Sequence, residues 1–265
     1  MKRTAPSISS DKVLHLHCPS SWGELSQEQL RYTLDLIGCN LYSDVEIRTY
    51  MLFRFCDIKV LKKHPSSVSC RVRLKNGRWH FFDLQDWQIQ DMIGQLSFIN
   101  APEEMDVQLE DINGLKPVNK LLHGLPFMDY LNLEACYQGY LNTKGNDRIE
   151  AMARILYRDE KGNAVKSLSL DTAELTGTLF WFFHVKKVFA KAFPNFFKPV
   201  NKVGGEYKPM DAINAQLRAL TDGDVTKEEY IKNYDCWRCL TELDAKAREA
   251  EEFKRKYGNN KGDIR

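Results

Sequence analysis

The sequence predicts a helix-dominated α+β fold, in which a small N-terminal module with a β-hairpin precedes a C-terminal helical domain. Residues 67–84 alternate between apolar and polar side chains around Asn76-Gly77, a pair that favours a tight hairpin turn. Two capping boxes, Ser26 to Gln29 and Ser43 to Glu46, indicate helix starts before the hairpin. Beyond residue 118 apolar residues recur every three or four positions, which is the spacing of helices.

In the N-terminal module, each capping box precedes an apolar stripe at helical spacing. The first stripe is Leu30, Leu34, Ile37 and Leu41, and the second is Ile47, Met51, Phe55 and Ile58. Within the hairpin, Val68, Cys70, Val72 and Leu74 alternate with polar residues, so one sheet face should be buried and the other solvated. A further helix is expected from about 85 to 99.

The C-terminal domain is expected to contain helices near 126–142, 146–157, 171–193, 207–220 and 226–257. Thr226 to Glu229 reads as the capping box of the last one. Its apolar residues recur at close to coiled-coil spacing, as an ordinary core-packed helix or a partner-binding helix would have. They are Tyr230, Tyr234, Trp237, Leu240, Leu243, Ala247, Ala250, Phe253 and Tyr257.

These patterns divide the chain into five parts. Residues 1–12 should be disordered, 13–100 should form the α+β module with its hairpin at 67–84, and 101–117 is acidic and irregular enough for a linker. Residues 118–257 form the predicted helical domain, and the tail 258–265 should be disordered.

Composition narrows the function classes. The formal net charge of +2 is too balanced for nucleic-acid binding to be the expected main role of the whole chain. The seven scattered cysteines and the polar N-terminus without a signal-like apolar core predict reduced thiols in the cytoplasm. The longest apolar run, residues 179–185, is far shorter than a membrane span, so no membrane partner is expected.

Residues 178–199 hold eight aromatic side chains among lysines, which is more aromatic surface than a helix can leave in water. A central core helix, a groove for an apolar helix and a base-stacking surface are all compatible with this composition, in that order of preference. We expect Phe182, Val185 and Phe189 to be core residues. The candidate partner-binding residues are Phe180, Trp181, Phe183, Phe196, Phe197, Trp237 and Phe253.

Other motifs are weaker. Cys236 and Cys239 form a C-x-x-C pair that could supply half of a zinc site, with His15, His17 and Cys18 as distant candidates for the rest. The pair lies inside a helical pattern, which favours two structural side chains over a redox motif. The linear signatures of phosphate loops, nucleophile elbows and metalloproteases are absent from the sequence, which removes the enzyme classes that carry them. We expect a role in binding, with no catalytic residues and no cofactor.

Three phrases of the sequence, at 19–30, 124–131 and 180–183 with 193–197, together resemble uncharacterised proteins encoded in the tail-gene regions of bacterial prophages. In role, the chain is similar to a tail assembly chaperone or a related tail morphogenesis protein. This resemblance implies binding without chemistry, because such chaperones keep the long, apolar, helical tape-measure protein soluble while the tail tube assembles.

The first hypothesis is therefore a non-enzymatic interaction protein of phage or prophage tail assembly, which binds an apolar helical partner in the cytoplasm of the bacterial host. One alternative is a nucleic-acid-binding accessory protein of a mobile element, using Lys186, Lys187, Lys191 and the hairpin residues Arg71, Arg73, Lys75 and Arg78. The other alternative is a zinc-binding protein or enzyme that uses Cys236 and Cys239. Oligomeric state and presence in a finished virion are left open.

Overall fold

The computed structural model describes residues 6–8, 13–198 and 208–257. It confirms the helix-dominated α+β class, with 57% of the described residues in helices and 13% in strands. The chain divides into two compact units, which we call unit 1 (Met1–Glu110 with Leu170–Trp181) and unit 2 (Asp111–Ser169 with Phe182–Arg265). This division differs from the predicted one, because a segment distant in sequence completes unit 1.

Unit 1 begins with the two predicted capped helices, α1 (Gln27–Gly38) and α2 (Asp44–Phe55). Both capping boxes are confirmed. The Ser26 hydroxyl accepts from the Gln29 amide at 3.2 Å and the Ser26 amide donates to the Gln29 side chain at 2.9 Å, so two N-terminal amides are satisfied. Leu30 and Leu34 are buried as expected, but α1 ends at Gly38 and leaves Leu41 exposed.

The sheet of unit 1 contains β3 (Lys59–Lys63), β4 (Ser67–Arg73) and β5 (Trp79–Gln85), all antiparallel and in that order. The predicted hairpin is its β4–β5 half. Gly77 adopts a φ of +81°, a conformation that glycine enters without steric cost, and the Asn76 side chain accepts from the Arg78 amide at 3.0 Å. The β3 strand was not predicted, because its five residues are all exposed and show no alternation.

Two expectations for the N-terminal part need correction. Ser7–Ile8 forms β1, which pairs with β2 (Leu14–His15), so disorder is wrong for residues 6–8; residues 1–5 and 9–12 lie outside the described residues. The helix expected over 85–99 is shorter, because α3 (Asp86–Gly94) is followed by a separate 3₁₀ turn, Ser97–Asn100.

The acidic segment 101–117, predicted to be a linker, is instead fixed by its apolar residues. Met105 and Leu109 are buried in unit 1, and Ile112 and Leu115 are buried in unit 2. The acidic side chains of the segment are exposed or half-buried. Its charged composition therefore predicted a linker although its apolar residues are packed. A short 3₁₀ turn, Pro102–Glu104, opens it.

Unit 2 contains most of the helices, and their predicted positions are confirmed for α4 (Phe127–Thr143), α5 (Asn146–Leu156) and α7 (Pro209–Thr221). The two-residue strands β6 (Lys116–Pro117) and β7 (Tyr157–Arg158) pair beside them. The predicted helix α6 (Thr172–Ala192) is also confirmed; it contributes residues up to Trp181 to unit 1 and residues from Phe182 to unit 2.

The continuous helix predicted over 226–257 is wrong. A 3₁₀ turn (Val225–Lys227) and α8 (Glu228–Lys232) are separated from α9 (Cys236–Tyr257). The Tyr234 carbonyl accepts from the Phe127 amide at 2.8 Å, and Asp235 accepts from the Gly124 amide at 2.6 Å and from the Arg238 amide at 3.1 Å. These bonds hold the backbone out of helical geometry, and Asp235 caps α9 instead.

The Thr226–Glu229 capping box is also replaced. Asp224 accepts from the Thr226 amide at 3.0 Å and caps the 3₁₀ turn, so the local signal was real but displaced by two residues. Residues 258–265, predicted to be a disordered tail, lie outside the described residues.

Candidate functional site

The aromatic segment forms the core of unit 2. Phe182, Val185 and Phe189 are fully buried, which confirms the predicted core residues. The Phe189 ring lies 5.7 Å from the Tyr130 ring and 5.1 Å from the Trp237 ring, in the tilted and edge-on arrangements that aromatic pairs favour. The core-helix interpretation therefore accounts for this face of α6.

Of the candidate contact residues on α6, Trp181 is wrong because it is buried, in unit 1. Phe180 is half-buried, edge-on to Trp22 at 6.2 Å, and Phe183 is half-buried, edge-on to Tyr137 at 5.9 Å. A helix that is apolar on most sides places its rings against several neighbours, so this part of the segment offers little ring surface to a partner.

Phe196 and Phe197 follow α6 and are half-buried. Their backbone is held by Asp244 of α9, which accepts from the Asn195 amide at 2.7 Å and from the Phe196 amide at 2.9 Å. Burial alone would raise the pKa of Asp244, but the hydrogen bond from the Asn195 side-chain amide, together with the two backbone bonds, outweighs it, and the pKa of this carboxyl lies below its ordinary value. Lys198 also pairs with Glu251, so residues 195–198 run along α9 from Asp244 to Glu251.

Trp237 is held from inside unit 2. Its ring stacks on His123 with centroids 4.4 Å apart, and its indole nitrogen donates to the Leu121 carbonyl. The half-buried ring also contacts Phe193 edge-on at 5.2 Å. Trp237 therefore fixes the start of α9 against the rest of unit 2.

Phe253 is different, because its side chain is 65% exposed, and Tyr257 one turn later is 59% exposed with its ring 4.7 Å away. Both continue the apolar stripe of α9, which begins with the buried residues Leu240 and Leu243. We call the exposed part of this stripe, Ala250, Phe253 and Tyr257, the α9 seam.

The candidate phosphate-binding lysines of α6 are not equivalent. Lys186 pairs with Glu134 at 2.8 Å and lies over the Phe197 ring at 4.8 Å, so its charge is already balanced. Lys187 is half-buried and Lys191 is exposed. All three belong to unit 2, whereas Arg71 and Arg73 belong to unit 1.

The outer face of the sheet in unit 1 combines cations with exposed rings. The strand register places Lys59 opposite Arg71 and Arg71 opposite Phe81, with Arg73 opposite Trp79 in the next row. Phe81 is 62% and Trp79 41% exposed, and the Arg71 guanidinium lies 4.5 Å from the Trp79 ring centre. We call these five residues the basic sheet face.

Sequence reasoning had selected Arg71 and Arg73 but missed the two rings of the basic sheet face. The alternation of the hairpin could have identified them. Once the Asn76-Gly77 turn fixes the register, Trp79 and Phe81 project from the sheet face opposite to the buried residues Val72 and Cys70.

The C-x-x-C pair is buried in unit 2. The Cys236 thiol donates to the Leu122 carbonyl at 3.2 Å, and burial raises its pKa well above the ordinary value. Burial also raises the pKa of Cys239, to about 11. Within the described ranges, no three His, Cys, Asp or Glu side chains are grouped as metal ligands, so neither this pair nor His15, His17 and Cys18 has the ligand number of a zinc site there.

A second thiol pair lies in unit 1. The Cys56 thiol donates to the His17 carbonyl at 3.6 Å, and its interaction with the neighbouring Cys18 lowers the pKa of Cys18 and raises that of Cys56. Unit 1 also contains a cavity of about 390 Å³, which is lined by aromatic rings, among them two tyrosines, and by charged groups. Its lining is Tyr32, Tyr50, Phe53, Arg54, Asp57, Ile58 and Lys59.

In the part of the chain that the structure describes, no helix has both the length and the apolar composition to cross a membrane. No family model matches the chain, and neither a curated protein nor a solved structure matches it.

Proposed function

We propose that this chain is a non-enzymatic interaction protein that binds an apolar helix of a partner protein during phage or prophage tail assembly, in the cytoplasm of the bacterial host. The observation that carries the proposal is the α9 seam, an apolar stripe that starts in the core of unit 2 and continues beyond it.

The seam has the spacing of a helix-pairing surface. Leu240, Leu243, Ala250, Phe253 and Tyr257 lie on one stripe of a 22-residue helix, and the last three are exposed. A stripe at this spacing packs most favourably against a second helix, whose side chains enter the gaps between its own. Covering an exposed phenylalanine ring would contribute on the order of 2–3 kcal/mol to binding before the entropic costs of association.

The segment 195–198 adds to this surface. Because Asp244 and Lys198 hold it along α9, the backbone of this segment runs beside the stretch of helix that leads to Phe253. The Phe197 ring packs on Phe189 and Phe193. A partner helix on the seam would therefore have this segment along one edge of its contact.

The charges around the seam favour a protein partner over a polyanion. The last ten residues of α9 include both signs, with Arg248, Lys254, Arg255 and Lys256 beside Glu249, Glu251 and Glu252. Interspersed charges of this kind flank helix–helix interfaces and set their register, whereas phosphate binding needs an excess of cations. The resemblance to prophage tail-region proteins supplies the biological setting of the proposal.

The test is co-expression of this chain with the long, apolar, helical tape-measure protein that the proposal expects a neighbouring gene to encode. The wild-type chain should co-purify with that protein and raise its soluble fraction, and the complex should persist in 1 M salt because apolar contacts are not screened. The double variant Phe253→Ser, Tyr257→Ser should lose both effects.

A matched control is Tyr230→Ser, Tyr234→Ser, since Tyr230 on α8 is 66% exposed and its ring forms a comparable pair with that of Tyr234, 5.3 Å away and just after the helix. This control should behave as wild type. Equal loss in both double variants, or no effect of either, would remove the seam from the proposal.

A further inference from the structure

We propose that the basic sheet face of unit 1 binds single-stranded nucleic acid. This surface belongs to a different unit from the α9 seam, and the inference does not depend on the partner of that seam.

The strand register assembles the surface. Residues directly opposite each other in antiparallel strands project from the same face, so Lys59, Arg71 and Phe81 form one row across the sheet and Arg73 and Trp79 form the next. Cys70 and Val72 alternate with these residues and are buried on the opposite face. The core side of the sheet is thereby fixed, and the basic sheet face is held towards solvent.

The two rings have the spacing of consecutive unstacked bases. Trp79 and Phe81 are two residues apart on β5, so their side chains leave the strand roughly 7 Å from each other. A single strand can extend to a similar distance per nucleotide and place one base on each ring, an interaction that does not depend on base identity. In a duplex the base faces are already covered, so the same rings would have no partner.

The charge of this region is strongly positive although the whole chain carries only +2. Residues 58–82 contain seven Lys or Arg and no Asp or Glu. Among the described residues, no carboxylate forms an ion pair with Lys59, Arg71 or Arg73. These cations are therefore available for phosphates, and their neutralisation would release counterions from the nucleic acid.

Arg71 links the exposed rings of the basic sheet face to its positive charge. Its guanidinium lies over one face of the Trp79 ring, 4.5 Å from the ring centre, so it holds the ring in place and leaves the other face for a base. Among the described strand residues of this face, the one acidic side chain is Asp83, opposite Ser69, at the end away from the Asn76-Gly77 turn. A bound strand should therefore lie towards the turn, where Lys75 and Arg78 add further charge.

The experiment is fluorescence anisotropy with a labelled 12-nucleotide oligothymidylate, the intact protein and a range of salt concentrations. Binding should weaken steeply as salt rises, and a duplex of the same length should bind less tightly than the single strand. Phe81→Ala should weaken binding about 5- to 100-fold, the range expected for loss of one stacked base. Arg73→Gln should weaken binding and reduce the salt dependence.

Matched controls come from unit 2. Tyr230→Ala removes an equally exposed ring and Lys191→Gln an exposed cation, and both variants should bind like wild type. The inference is overturned if no oligonucleotide binds, if the controls weaken binding as much as Phe81→Ala, or if polyglutamate competes as effectively as the oligonucleotide, which would assign the face to an acidic protein.

Tryptophan fluorescence gives a second readout that does not need a destabilising variant. Stacking of a base on Trp79 should quench emission of the wild-type protein on addition of unlabelled oligothymidylate. Trp79→Phe keeps an aromatic ring, so it should retain binding in the anisotropy assay while losing most of the quenching. Unchanged quenching in Trp79→Phe would show that the bases stack elsewhere and overturn the proposed site.

Discussion

The two units use aromatic side chains in opposite ways. Unit 2 receives most of the aromatic segment and buries Phe182, Phe189 and Phe193, the last two in contact with several other rings. Unit 1 has fewer rings in its sheet, yet Phe81 and Trp79 are exposed beside cations. The density of aromatic residues along a sequence therefore indicates a core, whereas their phase relative to a buried strand face indicates a surface.

The difference follows from helix and strand geometry. A helix with rings on most sides has to be surrounded, because side chains leave it in all directions. A strand alternates its side chains between two faces. When only one face of the sheet is buried, every second residue is therefore exposed to solvent. Trp79 and Phe81 are thus exposed by the same register that buries Cys70 and Val72.

The largest expected effect is on stability and tests this comparison directly. Phe189→Ala should lower the free energy of unfolding by about 3–5 kcal/mol, since it removes a fully buried ring from an aromatic cluster. Phe81→Ala should change it by no more than about 0.5 kcal/mol because the ring is exposed. Urea unfolding followed by circular dichroism measures both, and similar losses would contradict the comparison.

A smaller effect is expected where unit 1 is closely packed. A Cβ atom on Gly38 would lie 2.1 Å from the Thr176 hydroxyl and 3.1 Å from the Thr172 carbonyl, so the backbone would have to move. Gly38→Ala should cost about 1–3 kcal/mol of unfolding free energy. Gly94→Ala, also at a helix end but with open space around it, is the control and should be neutral or slightly stabilising in the same thermal or urea assay.

In unit 2, the start of α9 depends on one carboxylate. Asp235→Ala removes the acceptor for the Arg238 and Gly124 amides and should cost about 1–2 kcal/mol. Glu252→Ala, an exposed acid later in the same helix, should have little effect. If both variants unfold at the same urea concentration, the break between α8 and α9 does not depend on this cap.

The smallest effect concerns thiol reactivity. The neighbouring Cys56 thiol stabilises the Cys18 thiolate and lowers its pKa, whereas burial raises the pKa of Cys236. At pH 7.5 a lower pKa gives more thiolate, so Cys18 should react with iodoacetamide faster than Cys236. Peptide mass spectrometry measures both rates in one sample. In Cys56→Ala the Cys18 rate should fall; a rate that stays the same would show that this thiol pair does not control it.

Local signals in the sequence were sufficient for many elements. The capping boxes at Ser26 and Ser43 act over three residues, and the turn at Asn76-Gly77 over two, so neighbours in the chain contain all the information needed. The same holds for the core residues Phe182 and Phe189, because their spacing on α6 predicted that they are buried. Of the candidate surfaces, the sequence indicated the cations of the hairpin and Phe253 at the end of α9.

What the sequence alone determined about this protein is its helix-dominated α+β class, its hairpin register and the aromatic core of unit 2. Tertiary structure decided the break before α9, the pairing of β3, the packing of residues 101–117 and the burial of Trp181. The physical reason is the range of the interactions. Asp235 is fixed by an amide more than a hundred residues earlier, and Trp181 is buried in a unit otherwise built from the first 110 residues and its own neighbours, contacts that no local pattern encodes.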